Sequence, residues 1–167
     1  MKNTVIIQAS SRSNGDSFKI SEQLLKLKGI DFIDLNTLSI NHYDYDYQNK
    51  NDDFNPLATK IAEKYDNIIF ITPIYWYTMS GLLKVFLDRF SDLIRIHKDT
   101  GRKFRGKNVG LISVNNSDAY LKNFSEPIDL SCQYLGMNFK KYLHVPVIDE
   151  TISNKSIEEL KQFYNLF

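Results

Sequence analysis

The chain has 167 residues, of which 43% are hydrophobic and 25% charged, with a formal net charge of +1. That length suits a single domain over residues 1–167 burying about two thirds of its unfolded surface, and the composition excludes disordered and collagen-like chains. The single cysteine, Cys132, excludes an internal disulfide and any four-cysteine metal or iron–sulfur centre within one chain and fits a reducing, cytoplasmic compartment, while the balanced charge supplies no overall field toward nucleic acid or an acidic membrane.

Met1 to Thr4 leads into an apolar run too short to span a membrane and without the small-residue cleavage site of an export signal, so neither fate is expected. Thr4 to Ala9 reads as a buried parallel strand ending in a polar turn. From Ser17 to Lys28 the period becomes helical through Phe18, Ile20, Leu24, Leu25 and Leu27, and Gly29 closes the run. Ile30 to Leu35 is a second strand, and the Asn-, Asp- and Tyr-rich stretch from Asn36 to Asn55 a surface loop. The next helix starts at Asn55-Pro56, or earlier with Asp52 or Asp53 as its cap.

Asn67 to Thr72 is the most apolar segment and hence the central strand, followed by a helix from Ser80 to about Ile96. Asn108 to Val114 is a fourth strand and Ala119 to Leu135 a helix closed by Gly136, with Pro127 delaying or kinking it. Asn138 to Val147 is a fifth strand and Ser153 to Leu166 the last helix. Strict alternation without repeat or linker implies a doubly wound α/β domain: a five-stranded parallel sheet in the order 2-1-3-4-5, with helices on both faces. Such sheets bind ligands at the carboxyl ends of strands one and three, where the winding reverses.

Ser10-Ser11-Arg12-Ser13-Asn14-Gly15-Asp16-Ser17 follows strand one and offers hydroxyls, a guanidinium and a glycine able to adopt unusual backbone angles at a helix N-terminus. It lacks both the Gly-Lys-Ser/Thr ending of a Walker loop and the GxGxxG fingerprint, so a monophosphate is the expected anion. The alternative is a plain polar turn in which Asp16 or Ser17 only caps the helix. After the central strand, Thr72-Pro73-Ile74-Tyr75-Trp76-Tyr77-Thr78-Met79-Ser80-Gly81 places three aromatics in one loop, an apolar surface against which a flat ring system can lie.

That second segment, continued by Leu83-Lys84 and Phe86-Leu87-Asp88-Arg89, resembles the signature of NAD(P)H-dependent FMN reductases of the flavodoxin-like superfamily, and the Ser/Arg/Asn turn and Leu135-Gly136-Met137 agree with it. The resemblance implies FMN as cofactor and NAD(P)H as co-substrate. It further implies Ser10, Arg12, Asn14 and Ser17 around the FMN phosphate, and Pro73, Ile74, Tyr75, Trp76 and Tyr77 along the isoalloxazine. It also implies a homodimer. With the hydride chemistry residing in the flavin, no catalytic acid, base or nucleophile is assigned to the protein. The implied cycle is ping-pong, with a quinone, free flavin or similar small molecule as acceptor. A flavodoxin-type electron carrier is the alternative, disfavoured by the absence of a strong acidic charge; a domain binding some other phosphate ligand is a further one.

Ser113-Val114-Asn115-Asn116-Ser117-Asp118 follows strand four, where Ser113 and Asn115 are candidate flavin-rim residues, or Ser117 or Asp118 simply caps the next helix. Where some relatives carry a cysteine cluster, this chain has His42-Tyr43-Asp44-Tyr45-Asp46-Tyr47, whose tyrosines either cover a flavin or pack on their own helix. His42, His97 and His144 share no metal-ligand spacing, so no metal is expected. The stretch from Arg95 to Lys107 carries six Lys or Arg against one acid, but topology places it at the opposite sheet edge from the flavin of its own subunit. Asp88 and Arg89 read as ion-pair residues and Cys132 as a small core residue.

Overall fold

The apolar runs form five parallel strands, β1 (Thr4–Gln8), β2 (Ile30–Asp34), β3 (Asn67–Pro73), β4 (Asn108–Asn115) and β5 (Asn138–Pro146), in the order β2-β1-β3-β4-β5. The structure, a computed structural model, describes residues 3–118 and 121–167. β1 pairs with β2 on one side and β3 on the other, Ile6 standing beside Phe32 and Ile69, so the winding reverses at β1/β3 as the element order requires. Helices α1 (Asp16–Leu25), α2 (Phe54–Lys64), α3 (Gly81–Asp88), α4 (Phe90–Arg95), α5 (Lys98–Arg102), α6 (Glu126–Leu135) and α7 (Asn154–Tyr164) supply the crossovers and outer layers.

Strand residues alternate between two cores. Val5, Ile7, Ile68, Phe70, Val109 and Leu111 face α2, α3, α4 and α6, whereas Ile6, Ile69, Ile71, Ile112 and Val114 face α1 and α7. Gly110 belongs to the second face. A Cβ there would stand 2.6 Å from the ring tips of both Phe163 and Phe167, so a missing side chain lets the C-terminal aromatics lie on the sheet.

Boundaries differ from the sequence expectation where side chains reach across the fold. α1 ends at Leu25, short of Lys28, and Gly29 (φ 83°) shapes the turn into β2. α2 starts at Phe54, because Asp52 accepts the Phe54 amide through Oδ1 at 3.0 Å, which puts Pro56 third in the helix. The expected helix from Ser80 to Ile96 is two helices, and a third, α5, follows. At the joint the Asp92 amide bonds the Arg89 carbonyl at 2.9 Å, a tighter turn than the α-helical one. The Ala119 start of the fourth helix lies outside the described residues; α6 begins at Glu126, with Pro127 in the first turn where its missing N–H costs nothing. Gly136 ends it in the left-handed region at φ 73°.

Arg89 explains the joint. Its side chain is 1% exposed and donates through Nε and Nη2 to Asp92 at 3.0 and 2.8 Å, and through Nη1 to Asp52 at 2.6 Å. The remaining donors reach the carbonyls of Asn41 and Asn49 at 3.1 Å each, so one side chain ties the 36–53 loop to α4. Burial alone would raise the Asp52 carboxyl, but the bond from Arg89, joined by the Asn41 and Phe54 amides, outweighs it and holds the group below its ordinary range. The stabilisation it contributes is therefore complete above the ordinary carboxylate range and is lost as pH falls through the lowered value.

Candidate functional site

Three turns leave the carboxyl ends of β1, β3 and β4 side by side. The first is shaped from beneath. Gln8, fully buried, donates from Nε2 to the Ser13 carbonyl at 3.0 Å, and its Oε1 lies 3.0 Å from the Ser21 hydroxyl on α1. Asn36, just beyond β2, donates to Ser13 Oγ at 3.1 Å. Ser10 and Ser17 are buried, with Ser10 Oγ accepting the Arg12 amide at 3.4 Å, while Arg12 and Asn14 are exposed. The first-turn amides of α1 lie at the same turn, so unpaired donors, hydroxyls and one guanidinium meet there. Gly15 is not needed for its backbone: φ is −83° with extended ψ, and a Cβ would meet nothing closer than 3.5 Å.

The second turn is a two-residue hairpin. Tyr75 and Thr78 exchange backbone hydrogen bonds of 2.9 and 3.1 Å, and the two residues between them, Trp76 and Tyr77, have φ of 49° and 65°, the signs of a type I′ turn. Such angles are unfavourable for residues with a Cβ and normally call for glycine or asparagine. The consequence is exposure: Tyr75 is 42%, Trp76 93% and Tyr77 78% accessible. Pro73 and Ile74 are only partly exposed, and the Ile74 amide bonds the Val114 carbonyl at 2.9 Å.

The base of this turn is fastened by groups that the sequence reading passed over. Ser80 Oγ donates to the Ala9 carbonyl at 2.6 Å and accepts the Leu83 amide at 3.2 Å, capping α3, while the Ser80 amide donates to Thr72 Oγ1 at 3.0 Å. Tyr75 Oη and Ser11 Oγ, 2.9 Å apart, join the second turn to the first. Signals for two of these were available. Ser80 precedes an apolar helical run as an N-cap does, and Gln8 is the lone amide in an apolar strand.

In the third turn the expected pair separates. Ser113 is fully buried and its hydroxyl is engaged toward β5, 2.7 Å from Tyr142 Oη and 2.9 Å from His144 Nδ1. Because His144 Nε2 lies 2.8 Å from the Ser117 carbonyl, Nε2 carries the proton and Nδ1 accepts from Ser113. Asn115 lies at the strand end, where its Oδ1 accepts the Ser117 amide at 2.9 Å. The structure thus leaves Asn115 at the carboxyl end of β4 and commits the Ser113 hydroxyl to β5.

Tyr43 packs edge-on against Tyr45 and Tyr47, centroids 5.2 and 6.4 Å apart, within electrostatic reach of Arg95 at the far end of α4. The tyrosines gather on each other. In the basic stretch, Lys103 pairs with Glu63, Arg102 with Asp99, and the buried Lys107 amine with the Tyr65 carbonyl. Burial pushes the Cys132 thiol up to about 12, the behaviour of an inert core residue. No group of metal-ligating side chains occurs among the described residues. No helix among them is long and apolar enough to cross a membrane.

The donors and hydroxyls of the first turn suit the chemistry of a phosphate, and the exposed rings of the second that of a flat, amphipathic ring system. Comparison with known proteins agrees. The family model for NADPH-dependent FMN reductases matches residues 2–140. The Bacillus subtilis protein YwqN, named as an NAD(P)H-dependent FMN-containing oxidoreductase, is 26% identical over 148 residues, which cover 83% of this chain and 81% of YwqN. Among solved structures, the Trp repressor binding protein of Bacillus subtilis superposes with a TM-score of 0.76 at 22% identity, 96% of each chain being covered. FerB, a flavoenzyme NAD(P)H:(acceptor) oxidoreductase of Paracoccus denitrificans, gives 0.74 at 18% identity over 99% of this chain and 94% of its own. These two likenesses speak for the fold, and the family match for the chemistry: the chain belongs to the NADPH-dependent FMN reductases, enzymes that use FMN and NAD(P)H.

Proposed function

We propose that this chain oxidises NAD(P)H and reduces a small acceptor, a quinone, a free flavin or a similar molecule, in two alternating half-reactions at one site. When bound, FMN supplies the hydride-accepting and electron-returning chemistry. The protein binds and orients. Ser10, Arg12, Asn14, Ser17 and the first-turn amides of α1 hold the phosphate, and Pro73, Ile74, Tyr75, Trp76 and Tyr77 line the ring. Asn115 stands at the rim with Ser113 behind it. In this reading the molecule works as a homodimer in the reducing cytoplasm, the latter in keeping with its one buried thiol.

The observation that carries the proposal is the strained aromatic hairpin, with Trp76 and Tyr77 exposed at the reversal of the sheet and bonded through Tyr75 to the anion-binding turn. Apolar area presented at a backbone cost, beside an anion site, is a ligand surface. The test is anaerobic absorbance of the FMN-loaded protein on addition of NADH or NADPH. Rapid bleaching of the flavin bands by either supports the enzyme. No bleaching by both, in a protein that retains FMN, identifies an electron carrier instead.

A further inference from the structure

Where β4 runs out of the sheet, three of its carbonyls are bonded to three different elements. Val114 accepts the Ile74 amide at the base of the aromatic turn at 2.9 Å, Asn115 accepts the Val147 amide beyond β5 at 2.8 Å, and the Ser117 carbonyl lies 2.8 Å from His144 Nε2. The first two are backbone bonds, open to almost any sequence. The third depends on one side chain.

His144 has both ring nitrogens engaged, and their partners leave one arrangement of protons. A carbonyl only accepts, so Nε2 carries the ring proton, and Nδ1 takes the single proton of the fully buried Ser113 hydroxyl. Ser113 Oγ, 2.7 Å from Tyr142 Oη, must then accept from the phenol. Donation therefore runs one way, from Tyr142 through Ser113 and His144 to the Ser117 carbonyl. The head of the chain is fixed in turn, because the Tyr142 ring stacks on Phe124 with centroids 5.5 Å apart. Apolar packing on an edge strand calls for none of these groups; a fully satisfied polar chain fixes an orientation.

What it orients is the turn. The Ser117 amide donates to Asn115 Oδ1 at 2.9 Å, so Ser117 is held at its carbonyl by His144 and itself holds the oxygen end of the Asn115 side chain. With that end turned to the backbone, Asn115 has its Nδ2 hydrogens to offer a ligand. Donors are what the carbonyl edge of a flavin ring can accept.

We propose that His144 is a positioning residue for the site: through Ser117 it fixes Asn115 with its donor end available to the carbonyl edge of the ring. The inference rests on the placement of Asn115 at the flavin rim proposed above, and adds the residue that sets its polarity.

FMN titration of the full chain over a double-mutant cycle tests it, with far-ultraviolet spectra to confirm the fold of each variant. Asn115→Ala and His144→Phe each weaken FMN binding about fivefold, as for one hydrogen bond, and the double variant binds no more weakly than Asn115→Ala, because His144 acts through Asn115. His144→Gln, which keeps a donor at the same distance along the side chain, recovers affinity to within about twofold of wild type. Losses that multiply in the double variant overturn the proposal, as does an affinity indifferent to His144→Phe or a His144→Gln variant as weak as His144→Phe. If His144→Phe does not fold, the nitrogen-15 NMR signature of the wild-type imidazole decides: a neutral ring protonated at Nε2 supports the chain of donors, and one protonated at Nδ1 overturns it. A wild-type protein that takes up no FMN overturns this proposal and the flavin reading together, whereas failure of this one alone shows as a wild type that binds and a cycle that multiplies.

Discussion

Two hairpin tips on this molecule share a backbone and differ in what they carry. Tyr75 to Thr78, after β3, and Ile148 to Thr151, after β5, are each closed by reciprocal backbone bonds, and each holds two non-glycine residues at positive φ: Trp76 and Tyr77 in one, Asp149 and Glu150 in the other. Aspartate tolerates that region better than most residues because its short polar side chain can satisfy the local backbone, whereas bulky aromatics have no such relief. Their anchoring differs as well. The acidic tip is held at its base by the Val147 amide on the Asn115 carbonyl at 2.8 Å and at its edge by a 3.7 Å ion pair from Glu150 to Lys19, while the aromatic tip is fastened to Ala9, Thr72, Val114 and Ser11. The strain of the aromatic tip is thus opposed by more fastenings than that of the acidic one.

Removing a fastening gives the largest effect. Ser80→Ala deletes the cap of α3 and leaves the Ala9 carbonyl without its hydroxyl partner, so unfolding free energy falls by about 2–3 kcal/mol and FMN binding weakens with it, as measured by urea denaturation and flavin titration. A result within a few tenths of wild type would remove the claim that the aromatic tip is held from below. Relieving the strain comes next, with opposite signs for stability and binding. Trp76→Gly stabilises the apoprotein by about 1 kcal/mol, since glycine accepts positive φ freely, yet weakens FMN binding about tenfold by removing ring surface. Loss of both properties together would show that Trp76 supports the fold. Tyr75→Phe cuts the link to Ser11 and, being a partly exposed hydrogen bond, costs about 0.5–1 kcal/mol, seen as a few-fold weaker FMN affinity. Asp149→Gly is the control at the second tip: thermal midpoints rise slightly, by a few tenths of a kcal/mol in stability, and flavin titration is unchanged.

Sheet order, both cores and the positions of the turns were legible in the sequence because the apolar runs and the period changes are local signals. What escaped was set by distance. Nothing around Arg89 announces a break in its helix, since its partners Asn41, Asn49 and Asp52 lie 37–48 positions away. The positive φ of Trp76 and Tyr77 was hidden because the chain uses no glycine there, the usual mark of such a turn. Ser113 read as a rim residue from its place at a strand end, and only the β4–β5 register, which sets it beside His144, shows that its hydroxyl is already committed. Gly15 erred in the opposite direction, a glycine where the backbone asks for none.

The bond from Ser80 to the Ala9 carbonyl spans 71 positions of chain and closes only when β1 and β3 have paired. Long-range pairing of this kind is slow to form, because the entropy of closing the intervening loop is lost before any contact compensates. The aromatic turn is therefore fastened only in a chain whose two central strands have paired, and FMN, binding the folded chain, draws the population toward it by mass action. A yellow molecule is one whose two halves have already met.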